Sequence, residues 1–146
     1  WIGGSSKPAI RRTAQYGTGW QAGQETADEL PPVLDAIKAA LEKNGRSIDP
    51  DHYGAGFHFY FGDWDGADLP KRTRSFEKRT SRDAKLHFAV GGADDILARI
   101  QEYADAGISK FILRPIGLTD SELIEQTQTL VEEVIPEAVK LKAKTG

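Results

Sequence analysis

Hydrophobic positions along the chain switch between a period near two and a period near 3.6, and the switches mark the elements. Trp1 and Ile2 read as the end of a strand, and Gly3-Gly4-Ser5-Ser6 as a turn with Ser6 placed to cap a helix. Pro8 falls in the first helical turn, where its missing N–H costs nothing. Ala9, Ile10, Thr13 and Ala14 then give a short amphipathic helix stopped at Gly17. Gly19-Trp20-Gln21-Ala22 reads as a very short strand and loop. From Thr26 onward, Leu30, Val33, Leu34, Ile37, Ala40 and Leu41 recur at helical spacing, with Pro31-Pro32 near the start and Asn44-Gly45 at the end. Residues 53–61 form the best strand, with Ala55, Phe57, Phe59 and Phe61 on one face and Gly54, Gly56, His58 and Tyr60 on the other. Aromatics and glycines on both faces predict that both are covered.

Residues 62–90 show no sustained period and are predicted to be irregular. A third helix follows over residues 94–106, with Ile96, Leu97, Ile100 and Tyr103 inward, and a strand over 109–115. The last helix is predicted over 121–143, carrying Leu123, Ile124, Leu130, Val131, Val134 and Ile135, with Pro136 as a kink site.

Strand and helix thus alternate, which argues for an α/β fold with a parallel sheet and crossover helices. The expectation is one segment over residues 1–146, built of four βα units and interrupted by the insertion at 62–90. Four units are too few to close a (β/α)8 barrel, which takes ~250 residues, but they are the right number for half of one. Composition agrees with a globular chain: 39% of the 146 residues are apolar and 28% charged. No apolar run approaches the ~18 residues of a membrane span. There are no cysteines, which removes disulfides, zinc-thiolate and iron-sulfur sites and thiol nucleophiles, and fits a cytoplasmic location. There is no methionine either, and the chain opens on an apolar stub running straight into glycines, so we expect a piece of a longer protein. It shows no charged-then-apolar leader pattern.

Four places carry candidate chemistry. The turn Gly3, Gly4, Ser5, Ser6 joins a strand to a helix N-terminus, where free N–H groups and the helix dipole attract an anion. Arg11 and Arg12 follow one turn later; an ordinary serine-capped turn would read the same way. His58 and Tyr60 share one strand face near the strand's C-terminal end, where barrel active sites lie, and His58 titrates near neutral pH. They are the candidate catalytic residues, beside the alternative of a hydrogen-bonded core histidine. Arg114, at the end of the last strand, is placed to meet a phosphate or carboxylate, or a structural carboxylate at the rim.

The fourth place is the stretch 71–85, with seven Lys or Arg against Glu77 and Asp83. It is locally +5 in a chain of net charge −3, so the remainder carries −8. An anion-contacting lid and a solvated mobile loop both fit it. Its single aromatic, Phe76, lacks the interleaving expected of a single-strand binder. Asp63-Trp64-Asp65-Gly66 resembles the start of a calcium loop, but Arg74 stands where its glutamate belongs. The histidines at 52, 58 and 87 have no metal-ligand spacing, so no metal site is expected.

A series of short motifs resembles the luciferase-like monooxygenase superfamily. It comprises Trp1-Ile2-Gly3-Gly4-Ser5, Arg11-Arg12-Thr13-Ala14, Gly17-Thr18-Gly19-Trp20, Val90-Gly91-Gly92-Ala93-Asp94-Asp95 and Tyr103-Ala104-Asp105-Ala106-Gly107-Ile108, followed by Phe111-Ile112-Leu113-Arg114-Pro115. Thr18 stands where that family often has aspartate, and Gly92-Ala93 where it has Thr-Pro. The resemblance implies the C-terminal half of a TIM barrel using FMN or the deazaflavin coenzyme F-420. It also implies that Gly3, Gly4, Ser5 and Ser6 hold the cofactor phosphate, with Trp20 and Arg114 on the cofactor side and a small-molecule substrate. The partner would be the missing N-terminal half or a second copy in a homo-oligomer. Two alternatives stay open: a non-catalytic half barrel that self-associates, and nucleic-acid binding through residues 71–85.

Overall fold

A computed structural model describes residues 1–141. They form an α/β arrangement with a parallel sheet, and they group into two compact units. Of the described residues, the first unit holds 1–56 and 102–112, and the second holds 57–101 and 113–141.

In the first unit, β1 (Ile2–Gly3) leads into α1 (Lys7–Tyr16), then β2 (Trp20–Gln21), α2 (Leu30–Lys43) and the start of β3 (Tyr53–Phe61). Ser6 caps α1 as expected, its hydroxyl accepting from the Ala9 N–H at 3.3 Å. Gly17 ends α1 for a different reason from the usual glycine stop. Its φ of −71° suits any residue, but a Cβ there would come within 2.8 Å of the Thr13 carbonyl oxygen. The Arg46 guanidinium closes the same helix end, donating to Ala14 O and Gly17 O, both at 2.8 Å. The run from Thr26 begins as a single 3-10 turn (Ala27–Glu29), and α2 proper starts at Leu30, just ahead of Pro31. Gly45 ends it at a φ of +61°.

β1 pairs with β2 in register Ile2 to Trp20, and β2 with β3 in register Trp20 to Tyr53, both parallel. Trp20, Leu30, Ile37, Leu34 and Leu41 lie buried behind these strands, each contributing about 1.5–3 kcal/mol. The Trp1 indole is half exposed and lies flat across Gly19 and Gly54.

The second unit corrects the expectation for residues 62–90. They are ordered as a helix, α3 (Leu69–Thr80), a 3-10 turn (Ala84–Leu86) and a strand, β4 (Phe88–Gly91). The density of Lys and Arg in α3 masks its period, because only Leu69 is fully buried and Phe76 half-buried. β4 runs parallel to the end of β3, pairing His58 with Phe88 and Phe61 with Gly91. Leu69, Ala84, Phe88 and Ile116 form the local core, with Tyr60, Phe76 and Val90 packed against it.

α4 (Ala93–Asp105) and β5 (Lys110–Pro115) follow the pattern, with Ile96, Ile100 and Tyr103 buried. β5 pairs with β3: Ser109 N donates to Tyr53 O, and Ile116 N to Phe59 O, both at 2.9 Å. The rising order on both strands is that of a parallel pair. Beyond Ile116 the Gln126 side chain takes over the edge of β3. Its Oε1 accepts from Phe61 N at 2.6 Å, and its Nε2 donates to Phe61 O at 3.1 Å.

The last helix is broken more heavily than a kink. α5 (Asp120–Thr129) passes into a π-turn (Leu130–Val134) and then α6 (Ile135–Ala138). Pro136 offers no N–H and crowds the preceding turn, which widens to accommodate it. Of the apolar residues expected on this helix, Leu130 and Val134 are buried, whereas Ile124, Val131 and Ile135 face solvent. The predicted end at Ala143 lies outside the described residues.

The expectation that both faces of the central strand are covered also fails. Ala55, Phe57 and Phe59 are buried, but His58 is exposed and Gly56 and Tyr60 only half-covered.

Candidate functional site

The turn at residues 3–6 joins β1 to the N-terminus of α1. Gly4 sits at a φ of +92°, which disfavours any side chain, and its N–H donates to Gln21 O at 3.1 Å. Its carbonyl points inward, where the indole N–H of the fully buried Trp20 donates to it at 2.9 Å. A peptide is planar, so fixing the Gly4 carbonyl inward turns the Ser5 N–H outward. The N–H groups of Ser5, Ser6 and Lys7 make no hydrogen bond among the described residues. They lie at the positive end of α1, a helix with no carboxylate in its first turn. The Ser5 and Ser6 hydroxyls add donors, and Lys7 is exposed beside them.

A phosphate dianion fits this set: main-chain donors, two hydroxyls and no competing acid. Trp20, expected on the cofactor side, holds the turn from beneath and cannot itself touch a ligand, being completely buried. Arg11 and Arg12 are exposed on α1.

The second unit contains a cleft of about 350 Å³, whose lining includes His58, Arg72, Ser75, Arg79 and Phe88. His58 projects from β3 and stacks on the Phe88 ring of β4, with centroids 5.4 Å apart and planes 22° from parallel. Partial burial, then the guanidiniums of Arg114, Arg72 and Arg79, holds its imidazole below the ordinary histidine value. His58 is therefore neutral at pH 7 and makes no side-chain hydrogen bond among the described residues. Arg72 is anchored by one nitrogen, its Nη2 donating to Gly117 O at 3.1 Å.

Tyr60, the other candidate on this strand face, is half-buried. The turn through Asp63 and Gly66 is pressed onto its ring, so that a Cβ at Gly62 would lie 2.5 Å from Tyr60 Cε1 and one at Gly66 2.8 Å. The Gly66 N–H to Asp63 O bond of 3.0 Å closes that turn, and among the described residues no group of acids and histidines is placed to hold a metal.

Arg114 lies exposed on β5, near enough to His58 to act on its charge. Sequence reasoning missed the partnership of His58 with Arg72 and Arg79. The signal was present in the spacing: Arg72, Ser75, Phe76 and Arg79 fall at i, i+3, i+4 and i+7, one face of a helix.

No family model matches the chain, and no curated protein matches it. Solved structures do. The chain is similar to an F-420-dependent secondary alcohol dehydrogenase in complex with an F-420–acetone adduct (TM-score 0.71, 15% identity, 93% of this chain and 47% of that one). It is also similar to the oxygenating constituent of 3,6-diketocamphane monooxygenase from Pseudomonas putida, a type II Baeyer-Villiger enzyme in complex with FMN (0.73, 13%, 99% and 49%). A third is the coenzyme F-420-dependent tetrahydromethanopterin reductase of Methanopyrus kandleri (0.63, 15%, 92% and 49%). The chain spans about half the length of each. Among the described residues, no helix is long and apolar enough to cross a membrane.

Proposed function

We propose that this chain, whose fold is that of half a luciferase-like (β/α)8 barrel, serves a flavin- or deazaflavin-dependent oxidoreductase by holding the cofactor's phosphate on the turn at residues 3–6. The observation that carries the reading is the turn itself: three N–H groups at the head of α1 with no partner among the described residues, that of Ser5 turned outward by the Trp20–Gly4 hydrogen bond. When bound, such a cofactor supplies hydride transfer or oxygen activation at its ring. The chain's own part is to bind and orient. Ser5, Ser6 and Lys7 present donors, Gly4 leaves the backbone bare for close approach, and Trp20 prevents the turn from flipping.

Ser6→Asp tests the assignment. Aspartate caps a helix as well as serine does, so the fold should keep its urea midpoint. Its carboxylate would face the phosphate, where a like charge a few ångströms away costs at least about 1.4 kcal/mol, or about tenfold in affinity. The wild-type protein should bind FMN more tightly than riboflavin, which lacks the phosphate, and Ser6→Asp should abolish that difference. An unchanged preference for FMN would overturn the reading.

A second reading is favoured by one observation. Ile124, Val131, Ile135 and Val139 are 58%, 56%, 39% and 75% exposed along the last helical run. A non-catalytic module would cover that stripe with a second copy of itself, giving a dimer by sedimentation equilibrium. A monomer at every concentration would remove this reading.

A further inference from the structure

We propose that the cleft between α3 and the β3–β4 pair is a second anion site, taking a phosphate monoester with a compact apolar body. Lys71, Arg72 and Arg79 supply three positive charges to its lining against the one carboxylate of Asp68. Asp68 is already engaged by Lys71 at 3.8 Å, which leaves the two guanidiniums uncompensated. The Arg79 side chain makes no hydrogen bond or ion pair among the described residues, and that of Arg72 spends only one nitrogen on the chain. Arg114 adds a further positive charge within reach of His58. Like charges held together repel, and no acid of the lining is left to offset them. The net lining charge of +2 with His58 neutral matches a dianion, which a phosphate monoester is above its second pKa of ~6.

The shape narrows the ligand further. A volume of about 350 Å³ is at the small end of metabolite sites. One wall is polar: Arg72, Ser75 and Arg79 stand one turn apart on the same face of α3, and two forks and a hydroxyl can grip one phosphate. The other wall is apolar, made of Phe76, Phe88 and Ile116, with Phe76 and Phe88 edge to face at 5.4 Å. Between them stands His58, its ring nitrogens free of hydrogen bonds among the described residues. The charged groups facing it are Lys71, Arg72, Arg79 and Asp68 from α3 and Arg114 from β5, while β4 brings only Phe88. A bound dianion offsets that field and sets negative charge beside the ring, so His58 takes up a proton more readily and becomes a further donor. The site does not depend on the flavin reading, since it shares no residue with the turn at residues 3–6.

Phenyl phosphate is the probe, followed through the His58 ring proton in NMR titrations. Saturating phenyl phosphate should raise the His58 midpoint by about one unit, and Arg79→Gln should weaken binding about tenfold without moving the urea midpoint. Ser6→Asp should leave both readings as in wild type, which separates this site from the turn. A His58 resonance indifferent to millimolar phenyl phosphate, or equal affinity in Arg79→Gln, overturns the proposal. So does a single-stranded oligonucleotide that binds the same residues more tightly and loses affinity steeply between 50 and 200 mM salt, since the cleft would then be part of a nucleic-acid track.

Discussion

Replacing Trp20 by phenylalanine removes one N–H and little else, and it tests how the turn is held. The indole Nε1 donates to Gly4 O at 2.9 Å from a side chain with no solvent exposure. Losing a hydrogen bond in a partly buried setting, with the carbonyl left unsatisfied, costs about 1–3 kcal/mol. The smaller ring leaves a void worth about another 1 kcal/mol. Together these reach ~2–4 kcal/mol, a large share of the ~5–15 kcal/mol that stabilises a typical domain.

The functional consequence is separate from the stability loss. With its carbonyl released, the Gly4–Ser5 peptide is free to rotate, and the Ser5 N–H no longer points at the ligand. Urea unfolding followed by circular dichroism gives the first number, and the ratio of FMN to riboflavin affinity gives the second. The reasoning requires both to fall. A destabilised protein with its FMN preference intact would show that Trp20 fills space without orienting the turn. A stability loss under about 0.5 kcal/mol would show that the hydrogen bond contributes nothing net.

Two further predictions follow from the second unit. Gln126→Leu leaves both main-chain groups of Phe61 without their partner at a partly buried edge, and should cost about 1–3 kcal/mol in urea unfolding; Gln126→Glu, which keeps the acceptor and loses the donor, should fall between. His58 titrates below its unfolded value of 6.5, so between those two values the unfolded chain binds the proton and the folded one does not. Stability is therefore full above pH 6.5 and declines as pH falls towards the folded value. His58→Gln should flatten that part of the stability profile, and a wild-type His58 midpoint above 6.5 by NMR would contradict the arrangement of arginines around it.

Much of this was legible from residue order. The start and stop of α1 rest on Ser6, Pro8 and Gly17, each acting through its own backbone chemistry, so local reading suffices. β3 and β5 declare themselves by aromatic and β-branched content. The helix α3 did not, because a helix that buries little more than Leu69 and part of Phe76 carries almost no apolar period, and its Lys and Arg read equally well as a solvated loop. The cleft was hidden for the same reason. His58 and Arg79 are distant in sequence, and only the pairing of His58 with Phe88 brings β4 and α3 beside them. The turn at residues 3–6 was half legible. Glycine and serine announced it, but the hydrogen bond from Trp20 crosses sixteen positions and needs the parallel pairing of β1 with β2 to exist. The face of His58 looked buried because aromatic content does not say what lies opposite a strand.

The half-exposed indole of Trp1 has a consequence for how this sequence can drift. A Cβ at Gly19 would lie 2.5 Å from its Cε2, and one at Gly54 2.7 Å from its Cζ3. Three positions on three neighbouring segments therefore share one volume, and none can change alone in the direction of size. The three atoms nearest a Cβ at Gly19 all belong to the indole, so a small residue at position 1 relieves the tightest clashes with an alanine there. Gly54 is crowded by the amide end of the Gln21 side chain as well, so it opens only if that side chain also moves. Tolerance at these glycines is set by which neighbour changes first, and substitutions harmful in one order become neutral in the other.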